Sequence, residues 1–84
     1  MAYVITEYVF DPPLTEAQLD QDSAALNPCL DLRGVRRLRT FLATDRRRGF
    51  CEFEAADAET VREAFRTAGV KFERAWSADL FGRP

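Results

Sequence analysis

The segment DAETVREAFRTAG, residues 57–69, reads as a helix from end to end. Asp57 is placed to cap it, with Thr60 three residues on. Val61, Ala64, Phe65 and Ala68 fall on one face at helical spacing, and Gly69 closes the last turn. A helix with one apolar stripe must bury that stripe against another layer. The runs on either side supply the layer. Residues 50–54 (FCEFE) and 71–81 (KFERAWSADLF) carry the aromatic, alternating character of strands.

The N-terminal half has the same plan. Residues 3–10 read as a strand, which the stiff turn Asp11-Pro12-Pro13 ends because proline cannot continue a central strand. Thr15 caps a helix, with Glu16 in its first turn and Gln18 at the capping-box spacing. Leu19, Ala25, Leu26 and Leu30 lie roughly along one face. Asn27-Pro28 is expected to kink this helix or to end its regular part between residues 26 and 29. Gly34 punctuates the exit. VRRLRTFLA, residues 35–43, is another strand, and TDRRRG is a hairpin loop.

Strand, helix, strand, strand, helix, strand is the ferredoxin-like βαββαβ order, an α+β arrangement in which a four-stranded antiparallel sheet carries both helices on one face. At 84 residues the chain is expected to form a single domain, 1–84, with residues 82–84 a loose tail. So short a chain buries a modest fraction of its surface, and added burial in a dimer would count. No apolar run approaches the ~20 residues that span a bilayer. MAYVITEYVF alternates and carries Glu7 without a basic leader, so it reads as a strand and not a signal peptide, which predicts a cytoplasmic protein. Cys29 and Cys51 are then reduced, small buried hydrophobes. The chain has no histidine, which excludes Ser-His and Cys-His catalysis and the commonest zinc sites.

RNA-recognition motifs share this topology, and RRRGF resembles the start of their basic-aromatic octapeptide. The side chains argue against RNA. Aligning Arg48-Gly49-Phe50-Cys51 with that motif puts Glu52 where an aromatic ring should stack a base, and a carboxylate there repels phosphates. The net charge of −2 points the same way. Arg46, Arg47 and Arg48 read as a solvated hairpin, and no nucleic acid is expected as partner.

Strand parity divides the sheet. Val4, Thr6, Tyr8, Phe10, Leu38, Thr40, Leu42, Cys51, Phe53 and Ala75 suit the helix side. The open face is then expected to hold Ile5, Val9, Phe41, Phe50, Phe72 and Trp76, with Val35 and Arg37 at one side. Among these stand Glu7, Arg39, Glu52, Glu54 and Arg74. Such a face is too apolar to stay bare and too charged for a dry core unless the charges pair. A homodimer of the dimeric α/β barrel type would cover it and would enclose a pocket. The leading reading is a binding protein that holds a small anionic or organic ligand, or a metal ion, on that face. Phe41, Phe50, Glu52 and Trp76 would then line the site. The alternative is a cofactor-free enzyme (a cyclase, isomerase or monooxygenase) with Glu7 or Glu54 as proton shuttle and Arg39 or Arg74 as anion stabiliser. A third is a docking face for another protein. No membrane is expected as partner.

DPPLTEAQL, the run LNPCLDLRGVRRLRTFLATDRRRGFCEFEAADAETVREAF and the close AGVKFERAW together resemble a family of small bacterial ferredoxin-like proteins of unknown function, described as nickel-binding-protein-like. The resemblance runs from about Tyr3 to Leu80. It implies a ferredoxin-like homodimer and, in some members, nickel binding. The positions it carries over as site members are Glu7, Arg39, Glu54, Arg74 and Trp76. The metal binding of those relatives leans on histidine. In the second strand, where such a relative would offer it, this chain has Arg36, Arg37 and Arg39, which cannot deprotonate to ligate. No metal ligand is therefore assigned, and no cofactor is expected.

Overall fold

Both helices begin and end as their sequences require. In the computed structural model, which describes residues 1–82, α1 spans Glu16–Leu32 and α2 spans Ala58–Ala68. The Thr15 hydroxyl accepts the Gln18 amide at 3.1 Å, and Asp57 accepts the Thr60 amide at 2.8 Å and hydroxyl at 2.7 Å. Each helix then stops in the same way. Gly34 and Gly69 take left-handed φ values of 66° and 72°. Their amides bond back to Asp31 and Arg66, while the amides of Val35 and Val70 reach Leu30 and Phe65. This is the Schellman motif, with its usual apolar contact between the residue after the glycine and the last turn. Residues 82–84 were expected to form a loose tail; Arg83 and Pro84 lie outside the described residues.

Pro28 lies inside α1 and does not end it. The missing amide costs one backbone bond, yet the turn beyond it places Leu30 at 3% exposure against the core, and Val35 packs beside it. Burial of that turn outweighs the lost bond.

The strands are β1 (Ala2–Val9), β2 (Arg36–Leu42), β3 (Arg48–Ala55) and β4 (Arg74–Ala78). They form one antiparallel sheet in the order β2-β3-β1-β4. The two central strands turn Val4, Thr6, Cys51 and Phe53 toward the helices, and α2 meets them with Val61, Ala64 and Phe65, all three fully buried. Phe65 is the hub. Its ring stands edge-on to Phe53 at 5.9 Å and to Phe72 at 5.3 Å. Burial of such a side chain contributes roughly 1.5–3 kcal/mol. α1 packs chiefly on α2 rather than flat on the sheet.

Parity fails in two places. The register between β2 and β3 shifts between Arg37 and Arg39, a bulge centred on Leu38. A bulge adds one residue and reverses the facing of everything before it. Arg37 therefore pairs with Phe53 on the helix face, and Val35 is buried in the core at 5% exposure. Both were expected on the open face. Phe72 was expected there too, but β4 starts only at Arg74, and before it the chain turns Phe72 against Phe65.

Two outcomes follow from the helix ends. A Cβ at Gly34 or Gly69 meets nothing within 4 Å, so Gly34→Ala and Gly69→Ala suffer only the left-handed backbone. Each should lower the unfolding free energy by about 1 kcal/mol in urea denaturation; no loss would mean that the turn is not left-handed. The Thr60 hydroxyl and amide together hold the Asp57 carboxyl below its usual range. A depressed folded-state value stabilises above the unfolded value of ~3.9 and is lost as pH falls through the folded one. The stability advantage of the parent over Asp57→Asn should therefore fade below about pH 4, read by thermal melts across an acid series.

Candidate functional site

Read across the sheet from β2 to β4, the open face is a grid. One row is Phe41, Phe50, Glu7, Arg74; the next is Arg39, Glu52, Ile5, Trp76; a third is Arg36, Glu54, Tyr3, Ala78. Each row sets one carboxylate beside one arginine. The charges needed to pair, and the register pairs them.

The three pairs differ in kind. Glu7 accepts the Trp76 indole N–H at 2.6 Å and faces Nε of Arg74 at 3.4 Å. Glu52 is only 9% exposed although it lies on the uncovered face, and Arg39 bonds it through Nε and, at 3.4 Å, through a terminal nitrogen. That bond, with the carboxylate charge behind it, raises the Arg39 guanidinium above its ordinary value. Arg36 meets Glu54 at 2.9 Å in the open; exposed pairs of this kind contribute ~0.2–1 kcal/mol. Between these pairs Phe41 and Phe50 stack at 4.9 Å, and the Arg39 guanidinium sits 5.7 Å from the Phe41 ring centre.

The Glu7–Arg74 pair borders a cavity. A concavity of about 800 Å³ is lined by Ile5, Glu7, Val9, Phe41, Arg48, Phe50, Glu73, Arg74 and Trp76, among others. The structure thus brings together Glu7, Arg74, Trp76, Phe41 and Phe50 from the expected set. Glu52, Glu54 and Arg39 are on the same face but outside this lining. Two contributors escaped the sequence reading. Arg36, the partner of Glu54, was hidden by the bulge. Arg48 was taken as part of a solvated hairpin, and only its pairing with Val9 brings it to the rim.

Among the described residues no group of three or more His, Cys, Asp or Glu is placed to hold a metal ion. Cys51 faces the helices, 3.0 Å from the Thr40 hydroxyl, and Cys29 lies on α1. The hairpin arginines have local partners: Arg46 donates to the Ala43 carbonyl at 3.0 Å, and Arg47 lies 3.8 Å from Asp11.

A family model described as nickel responsive protein SCO4226-like matches residues 3–77. No curated protein sequence matches the chain. Among solved structures the chain is similar to SCO4226 from Streptomyces coelicolor A3(2), with a TM-score of 0.82 at 20% identity, over 96% of this chain and 100% of that one. At this identity the likeness speaks for the fold.

The Arg39–Glu52 pair yields a further outcome. Removing one partner leaves a largely buried carboxylate uncompensated, whereas removing both does not. Arg39→Met should lower the denaturation midpoint more than Arg48→Met does, and Arg39→Met with Glu52→Met should recover most of the loss. A double variant as unstable as the single one would show that Glu52 is adequately solvated.

Proposed function

This chain belongs to the SCO4226-like family of nickel-responsive proteins, and from that premise we propose that it is a homodimeric binding protein whose open sheet face closes against a second copy around a small organic anion. The observation that carries this reading is the arrangement of Glu7, Trp76 and Arg74 at the edge of the concavity. Glu7 fixes the indole by its N–H and touches Arg74 only through Nε. The two terminal nitrogens of Arg74 have no other partner among the described residues and can take a carboxylate as a fork. The indole face and Phe50 offer an apolar wall beside it.

Dimerisation is supported by what the face exposes. Val9 is 66%, Phe41 46%, Trp76 42% and Phe50 40% exposed, all on one side of the sheet. Apolar groups massed on one face in this way mark an interaction surface. Burial of the stacked phenylalanines against a copy would also close the concavity and strengthen its electrostatics.

Nickel does not fit the donors of this chain. Nickel suits imidazole nitrogen, and the chain has none. Glu7, Glu52 and Glu54 are each held by an arginine. Cys51 is buried on the other side of the sheet. No step is therefore routed through a metal. A cofactor-free reaction at Glu7 would use the same geometry, and no contact favours turnover over binding.

Native mass spectrometry of untagged protein, purified without chelator, tests this. A dimer carrying an organic mass is expected. Phe50→Lys should yield a monomer, and Arg74→Gln a dimer without the added mass. A bare monomer from the parent would sink the interface. A nickel-sized mass on the dimer would sink the anion.

A further inference from the structure

The bulge at Leu38 has turned an arginine inward. Arg37 lies on the helix face of the sheet, its guanidinium carbon 5.9 Å from the Phe53 ring centre. Its Nε is buried without a hydrogen-bond partner, and no carboxylate lies within ion-pair distance of it among the described residues. Arg37 is otherwise half-buried, and its charge faces the helix side without a carboxylate to balance it. Beside it is a second cavity, of about 280 Å³, where α1 leans away from the sheet toward α2. Leu19, Leu26 and Phe65 give it an apolar wall, and Tyr8 and Thr40 lie with Arg37 on the strand side.

We infer that this cavity binds a small carboxylate with an apolar tail, held by Arg37. The two terminal nitrogens of the planar guanidinium are parallel donors that can take a carboxylate as a fork. Nε is shielded by the protein, so the contact falls to the terminal nitrogens, which have no ion-pair partner among the described residues. The tail lies along Leu19, Leu26 and Phe65. The volume, about 280 Å³, lies just below the usual range of ligand cavities, ~300–1,000 Å³, which restricts the tail to a short chain or a single ring. Asp20 and Asp22 stand on the α1 side and Lys71 opposite. Asp22 accepts from Gln18 at 2.8 Å, so its charge is partly engaged. The Tyr8 hydroxyl is 2.7 Å from that of Thr6, and burial holds the phenol well above its usual range, so it stays a neutral neighbour to an anion. This site is on the opposite side of the sheet from Glu7 and Arg74 and stands whether or not the open face binds anything.

The test is a titration of the full chain with hexanoate, followed by NMR of backbone amides and of the Arg37 Nε–H. Saturable shifts at Arg37, Leu19, Leu26 and Thr40 are expected, with a rise in melting temperature as ligand exceeds its dissociation constant. Hexylamine should cause neither. Arg37→Leu should abolish the hexanoate response. Should that variant fail to fold, Ser23→Phe, which blocks the cavity and keeps Arg37, should abolish it too. The inference is overturned if hexanoate leaves these resonances unmoved, if hexylamine moves them equally, or if the response centres on Trp76 and survives in the variants.

Discussion

Among the described residues two helices cover four strands, and both are committed to one side. α2 lies over the central strands with Val61, Ala64 and Phe65, and α1 braces α2. Everything else is conditioned by that one-sided cover. The helix side becomes a small aromatic and aliphatic core around Phe53 and Phe65. The other side stays bare, and its residues must be chosen to tolerate water, a partner or a ligand. The answer here is alternation of apolar side chains with charges of both signs, arranged so that each strand register supplies each carboxylate with an arginine.

Much of this was legible because it depends on local rules. Asp57, Thr15, Gly34 and Gly69 mark the helix ends by side-chain chemistry and backbone handedness, which do not need the rest of the chain. Facing was legible in β1, β3 and β4, where pairing is regular, so Glu7, Arg74 and Trp76 could be placed on one face before any contact was known. What failed was non-local. The bulge at Leu38 arises from how β2 fits β3, and nothing in VRRLRTFLA announces it. It moved Val35 and Arg37 across the sheet and concealed the Arg36–Glu54 pair. Phe72 was misplaced because alternation holds only while a strand is paired, and its ring follows Phe65 instead. Pro28 did not end α1, because the turn beyond it buries Leu30.

The two faces also treat their arginines differently. On the open face every arginine of the grid meets a carboxylate, so the surface is nearly neutral at short range and recognition falls to whichever donors remain unused. Under α1 the single arginine meets an aromatic ring and no acid. The same residue type thus serves in one place as half of a pair and in the other as an unanswered charge. That contrast comes from register, not from composition.

The helix exits have one more implication. Leu30, Gly34 and Val35 in the first half correspond to Phe65, Gly69 and Val70 in the second by a constant sequence offset, and the same two backbone bonds close both turns. The chain is in this respect one instruction issued twice, strand then helix then a left-handed stop. Its halves are quasi-equivalent, related by a local two-fold relation between neighbouring antiparallel strands β1 and β3. A protein of this kind carries symmetry inside a single copy, before any second copy is added.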